Sequence, residues 1–79
     1  MALDFPDLRA LVLSLAKQHH NGAIYPMGPR TGLSPSTIAI WANRAVKIPD
    51  ISSLRALADA YGLELKDVVA VAMRAPAAG

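Results

Sequence analysis

An all-α fold of four or five short helices is what the sequence predicts. Apolar residues recur at i, i+3, i+4 and i+7 in separate windows, which is the stripe of a helix that buries one face. No stretch alternates apolar and polar residues for long enough to make a useful strand. Glycine, proline, serine and asparagine fall between the windows, where caps and stops belong. The 79 residues suit one domain, and a composition 53% hydrophobic and 18% charged favours a packed core over disorder.

Residues 7–20 are expected to form the first helix. Leu8, Leu11, Val12 and Leu15 make its stripe, Asp4 or Asp7 can cap its start, and Pro6 suits the turn before it. His19 and His20 lie in its last turn, where a cation meets the helix dipole, and Asn21-Gly22 is a stop. Residues 23–32 contain Pro26 and Pro29. A helix long enough to include both would set the Pro29 ring against the carbonyl four residues back. Only a short helical turn is expected there, from Met27 or Gly28 to Thr31.

Residues 34–43 read as a helix with Ser34 as cap, Pro35 at its first position, and Ile38 and Trp41 inward. Ala45 to Ile51 reads as a loop. A helix from about Ser53 to Tyr61 follows, capped by Ser52 or Ser53, with Leu54, Leu57, Ala58 and Tyr61 as its stripe and Gly62 as its stop. The last runs from about Leu65 to Arg74 on Leu65, Val68, Val69 and Ala72. Residues 1–74 are thus expected to form the domain, and 75–79 a frayed tail. The aromatics are Phe5, Tyr25, Trp41 and Tyr61, so the core must be mostly aliphatic, and Trp41 is expected within it.

Composition excludes several functions. With no cysteine, disulfides and thiolate metal sites are out, and His19-His20 lacks a third ligand, so no metal or other cofactor is expected. The longest strictly apolar run, Val68 to Met73, is six residues, against the ~20 of a membrane span. Asp4 and Asp7 stand where a signal peptide would carry cations and then an apolar stretch, so a cytoplasmic protein is expected. No paired carboxylates, activated nucleophile or phosphate-cradling glycine loop suggests an enzyme or a small-molecule substrate.

The net charge of +2 hides a division. Residues 8–49 hold five cations and no acid, whereas the remaining segments sum to −3. The middle of the chain has the field for a polyanion, although a weakly charged chain can lack acids over such a stretch by chance.

Inside that stretch lies Thr31-Gly32-Leu33-Ser34-Pro35-Ser36-Thr37-Ile38-Ala39-Ile40-Trp41-Ala42-Asn43-Arg44. It is a tight glycine turn followed by a capped helix with small polar residues at its start. Such a helix can sit deep in a major groove, with its electropositive N-terminus towards phosphates. The bland alternative is a capped core helix.

The segment from about Leu8 to Val69 resembles the lambda-repressor-like helix-turn-helix domain of the Xre/Cro family. Gly32, Leu33 and Ser34 match its turn, Ile38 and Trp41 the inward positions of its recognition helix, and Asn43 the closing residue. Leu54 to Val68 matches the family's fourth helix, glycine stop and fifth helix. The departure is helix 2, where Pro26 and Pro29 stand outward and Ile24 replaces a common phosphate-contacting glutamine.

The resemblance implies a compact four- to five-helix bundle that binds double-stranded DNA as a repressor, in a bacterium or a phage-infected host. By it, Pro35, Ser36, Thr37 and Ile40 face base edges, while Arg30, Ser34, Asn43, Arg44 and Lys47 serve phosphates. No Arg, Gln or Asn is on the groove face, so bidentate base reading is absent. Val71, Ala72 and Met73 suit either a two-fold homodimer contact or an ordinary buried helix end. The irregular helix 2 and apolar groove face also fit a protein-interaction module of the same fold, an antitoxin-like or anti-repressor partner.

Overall fold

The structure is a computed structural model and describes residues 4–43 and 50–74. They form α1 (Leu8–His20), α2 (Met27–Thr31), α3 (Pro35–Asn43), α4 (Ile51–Ala60) and α5 (Leu65–Ala72), with no strand among them. The all-α class read from the periodicity is the class observed. The expected tail, 75–79, lies outside the described residues, as do Arg44 and Lys47.

Local chemistry fixes the first two helices. Of the two aspartates that can cap α1, Asp7 does so: its carboxylate accepts from the Ala10 N–H at 2.9 Å. Asn21 closes α1 in the left-handed region at φ 56°, and the Gly22 N–H returns to the Ala16 carbonyl at 3.0 Å. α2 begins after Pro26, so Pro29 is its third residue. The first turn of a helix leaves its N–H groups unpaired, so a proline there removes no hydrogen bond. Gly32, at φ 80°, ends α2 by donating to the Gly28 carbonyl at 2.8 Å.

The remaining helices correct the expected boundaries. α4 starts two residues early: Asp50, extended at φ −60° and ψ 147°, precedes it, and neither Ser52 nor Ser53 is its cap. Both serines lie inside the first turn, and no Asp50 side-chain bond replaces them. Its buried stripe is as read, with Leu54, Leu57, Ala58 and Tyr61 inward. Its end is tied by the Leu63 N–H to the Ala58 carbonyl at 2.8 Å, with Gly62 at φ 68°. α5 ends at Ala72, two residues before Arg74.

Five short helices bury their stripes in one core. α1 lies against α3 and α5, α2 against α3 and α4, and α4 against α5. Leu11, Val12, Met27, Ile38, Leu54, Leu57, Val68 and Val71 are fully buried. No polar or charged residue is buried among the described residues, so the core is held by apolar burial, worth ~1.5–3 kcal/mol per large aliphatic side chain.

Of the two readings of Val71, the dimer contact and the ordinary buried helix end, the structure supports the second. Val71 belongs to the core, with 0% of its surface exposed, and is unavailable to a second copy. α5 meets both α1 and α4, so its inward face is broad and takes in Val68 and Val71, while Leu65, Val69 and Ala72 are half-buried beside it. Of the three residues expected at a dimer contact, Met73 alone is largely exposed, at 62%.

Two arginines tie segments distant in sequence. The Arg9 Nε–H donates to the Ala42 carbonyl in the last turn of α3 at 3.2 Å. The Arg74 guanidinium donates to the Phe5 carbonyl. Both donate to backbone carbonyls at or beyond the end of a helix.

Candidate functional site

The α2–turn–α3 unit is built around two glycines. Gly28 is buried, and a Cβ there would stand 3.3 Å from the Leu33 carbonyl oxygen and 3.4 Å from the Pro35 ring. The missing side chain is what lets α2 approach the start of α3. Thr31 stiffens the corner: its hydroxyl donates to the Met27 carbonyl at 2.7 Å and accepts from the Leu33 N–H at 3.1 Å. Gly28→Val is therefore expected to destabilise the protein by about 1–3 kcal/mol through overpacking. Gly28→Ala should lie near neutral, since a gain of about 1 kcal/mol in helix propensity offsets the tight contact. Urea denaturation checks both, and a Gly28→Val variant as stable as wild type would refute the close approach.

Ser34 caps α3 as expected, accepting the Thr37 N–H at 3.2 Å. Its hydroxyl also lies 2.9 Å from that of Thr37. Ile38, Trp41 and Ala42 turn into the core, so Trp41 is a core residue here. Pro35, Ser36, Ile40 and Asn43 are exposed on α3, with Ile40 open to 43%. α1, α2 and α3 contain no acidic residue. The exposed residues of α3 are thus small or weakly polar apart from Ile40, and none of them is a carboxylate.

The other expected site residues divide. Thr37 is half-buried and its hydroxyl is engaged with Ser34, so it is less available to a ligand than Ser36. The Asn43 amide donates back to the Ala39 carbonyl at 2.8 Å and finishes the helix. Arg30 does not stand free beside α3. Its Nε–H donates to the Ala60 carbonyl at 3.1 Å, and its guanidinium lies 5.0 Å from the centre of the Tyr61 ring. Ile24 is half-buried and packs on the core.

Tyr61 gathers more than its own helix. The His20 Nε2 is 2.9 Å from its hydroxyl, and the His19 ring centre is 5.0 Å from its own. Burial raises the Tyr61 hydroxyl above its ordinary ionisation range, and the Arg30 charge partly opposes this. Sequence reading assigned His19 and His20 only to the dipole of α1 and gave Arg9 no role. Their partners lie 33 to 42 residues away, and no local pattern announces them.

No helix among the described residues is long and apolar enough to cross a membrane. Among those residues no group of three or more His, Cys, Asp or Glu is placed to hold a metal ion. Comparison of the chain with protein-family models, with curated proteins and with solved structures returned no match.

Proposed function

We propose that the protein is a DNA-binding transcriptional regulator, a repressor of the phage or bacterial kind, that lays α3 in the major groove of an operator and performs no catalysis. The observation that carries this reading is the α2–turn–α3 unit. A capped α3 with exposed Pro35, Ser36 and Ile40 projects from a bundle whose first three helices lack acids. Small groove-facing residues permit close approach to base edges, and the absence of carboxylates lets phosphates come near. In this reading Ser36 and Ile40 touch bases, Ser34 and the N-terminus of α3 meet a phosphate, and Arg44 and Lys47 add phosphate contacts. Homodimeric binding to a two-fold operator belongs to the same reading, with Met73 the exposed residue left from the expected contact.

Fluorescence anisotropy on labelled duplexes at about 50 and 200 mM salt tests it. Binding is expected at the lower salt and should weaken steeply at the higher. Arg44→Ala and Lys47→Ala should weaken binding to every sequence, each lowering the log–log salt slope by about 0.9. Ser36→Ala and Ile40→Ala should change which duplexes are preferred. Absence of wild-type binding at low salt, even to a library of random duplexes, would refute the reading.

One observation favours a second reading, a protein-interaction module of the same fold. Pro35 and Ile40 make the outer side of α3 partly apolar, and α3 has no charged residue. A stoichiometric protein complex abolished by Ile40→Asp, together with no duplex binding by the wild type, would decide for it.

A further inference from the structure

α2 is unusually dependent on its surroundings. It has five residues, about one and a half turns, and isolated helices that short do not persist in water. It has no side-chain cap at its start, and prolines occupy its N-cap and third position. Its inward hold is Met27, which is fully buried, with Gly28 against the beginning of α3. At its other end Arg30 reaches across to α4, bonding the Ala60 carbonyl and covering Tyr61.

We propose that Arg30 is a positioning residue: it pins α2 to the C-terminal end of α4 and thereby sets where α3 begins, without touching nucleic acid itself. Four observations support this. The Ala60 carbonyl is in the last turn of α4, where backbone oxygens lack helical partners and a cation is favoured. The Tyr61 ring beneath the guanidinium is held from α1 by His20 on its hydroxyl and by the His19 ring, so the platform is already fixed. Lysine cannot reproduce an Nε–H bond and a planar group over a ring at once. Finally, the Gly28 contact with Leu33 and Pro35 carries any movement of α2 directly to the first residue of α3.

The inference rests on the duplex-binding reading only for what α3 is presented to, so its test has one arm that needs no DNA. Arg30→Met keeps the apolar stem and removes the charge, and Arg30→Lys keeps the charge and removes the planar group. Amide hydrogen exchange is followed by NMR in both variants, and duplex binding is measured across a salt series. Exchange is expected to quicken about tenfold from Met27 to Thr37, with the amides of Leu11, Val12 and Leu57 unchanged. The Tyr61 ring signals should shift in both variants. Duplex affinity should fall several-fold in both, with the salt slope as in wild type.

A slope lower by about 0.9 in Arg30→Met but not in Arg30→Lys, with exchange as in wild type, overturns the proposal, because Arg30 is then a phosphate contact. Exchange that quickens throughout the bundle also overturns it, since Arg30 then supports the whole domain. If wild-type protein binds no duplex, the functional reading fails by itself. The exchange arm then decides alone: local quickening upholds the pin, and unchanged exchange overturns it.

Discussion

Met27→Ala is expected to remove about 2–5 kcal/mol of stability, the range for truncating a fully buried long aliphatic side chain. A domain of this length has roughly 4–12 kcal/mol in all, so the loss is a large fraction of the total and should lower the unfolding midpoint markedly. Met27 is completely inaccessible and is the residue through which α2 enters the core. Its loss leaves a cavity, and it also leaves a five-residue helix with little to hold it. Met27→Leu nearly conserves volume and should cost less than about 1.5 kcal/mol. Urea denaturation followed by circular dichroism distinguishes the two. A Met27→Ala midpoint matching that of Met27→Leu would mean that α2 is not anchored in the core.

Trp41→Ala is expected to cost about 3–5 kcal/mol. The indole is 4% exposed on the inward side of α3 and belongs to the main apolar cluster. α3 packs on both α1 and α2, so emptying this site loosens the helix that the proposed function presents to DNA. Trp41 is the one tryptophan in the chain, and its fluorescence reports unfolding of the wild type directly. Trp41→Phe should retain most of the stability. Were Trp41 a stacking platform for a base, Trp41→Ala would leave the unfolding midpoint in place and abolish nucleic-acid binding. That result would overturn its assignment to the core.

What could be read in the sequence was what depends on near neighbours. The Asp7 cap, the Asn21-Gly22 stop, the short α2 forced by two prolines and the Ser34 cap all follow from residues within a turn of each other. The start of α4 was misplaced because Ser52 and Ser53 are stronger nominal caps than their position allows, and Asp50 stands further back. Val71 stays open between a dimer contact and a buried end because a single four-residue stripe describes a helix packed on one neighbour, and α5 has two. The resemblance offers Arg30 to phosphate, whereas its tertiary partner, Ala60, lies 30 residues further on, where no local pattern points. The family resemblance sets Pro35, Ser36, Thr37 and Ile40 on the outer face of α3; Pro35, Ser36 and Ile40 are exposed there, and Thr37 is half-buried.

The bond from Arg74 to the Phe5 carbonyl, together with the packing of α5 on α1, brings the first and last described segments side by side. The two segments are therefore neighbours across the bundle although they are far apart in the chain. Joining the two segments covalently and reopening the chain at the exposed Gly22-Ala23 turn would change the order of the helices without moving any of them. Tolerance of such a circular permutation is set by packing and not by the direction of synthesis.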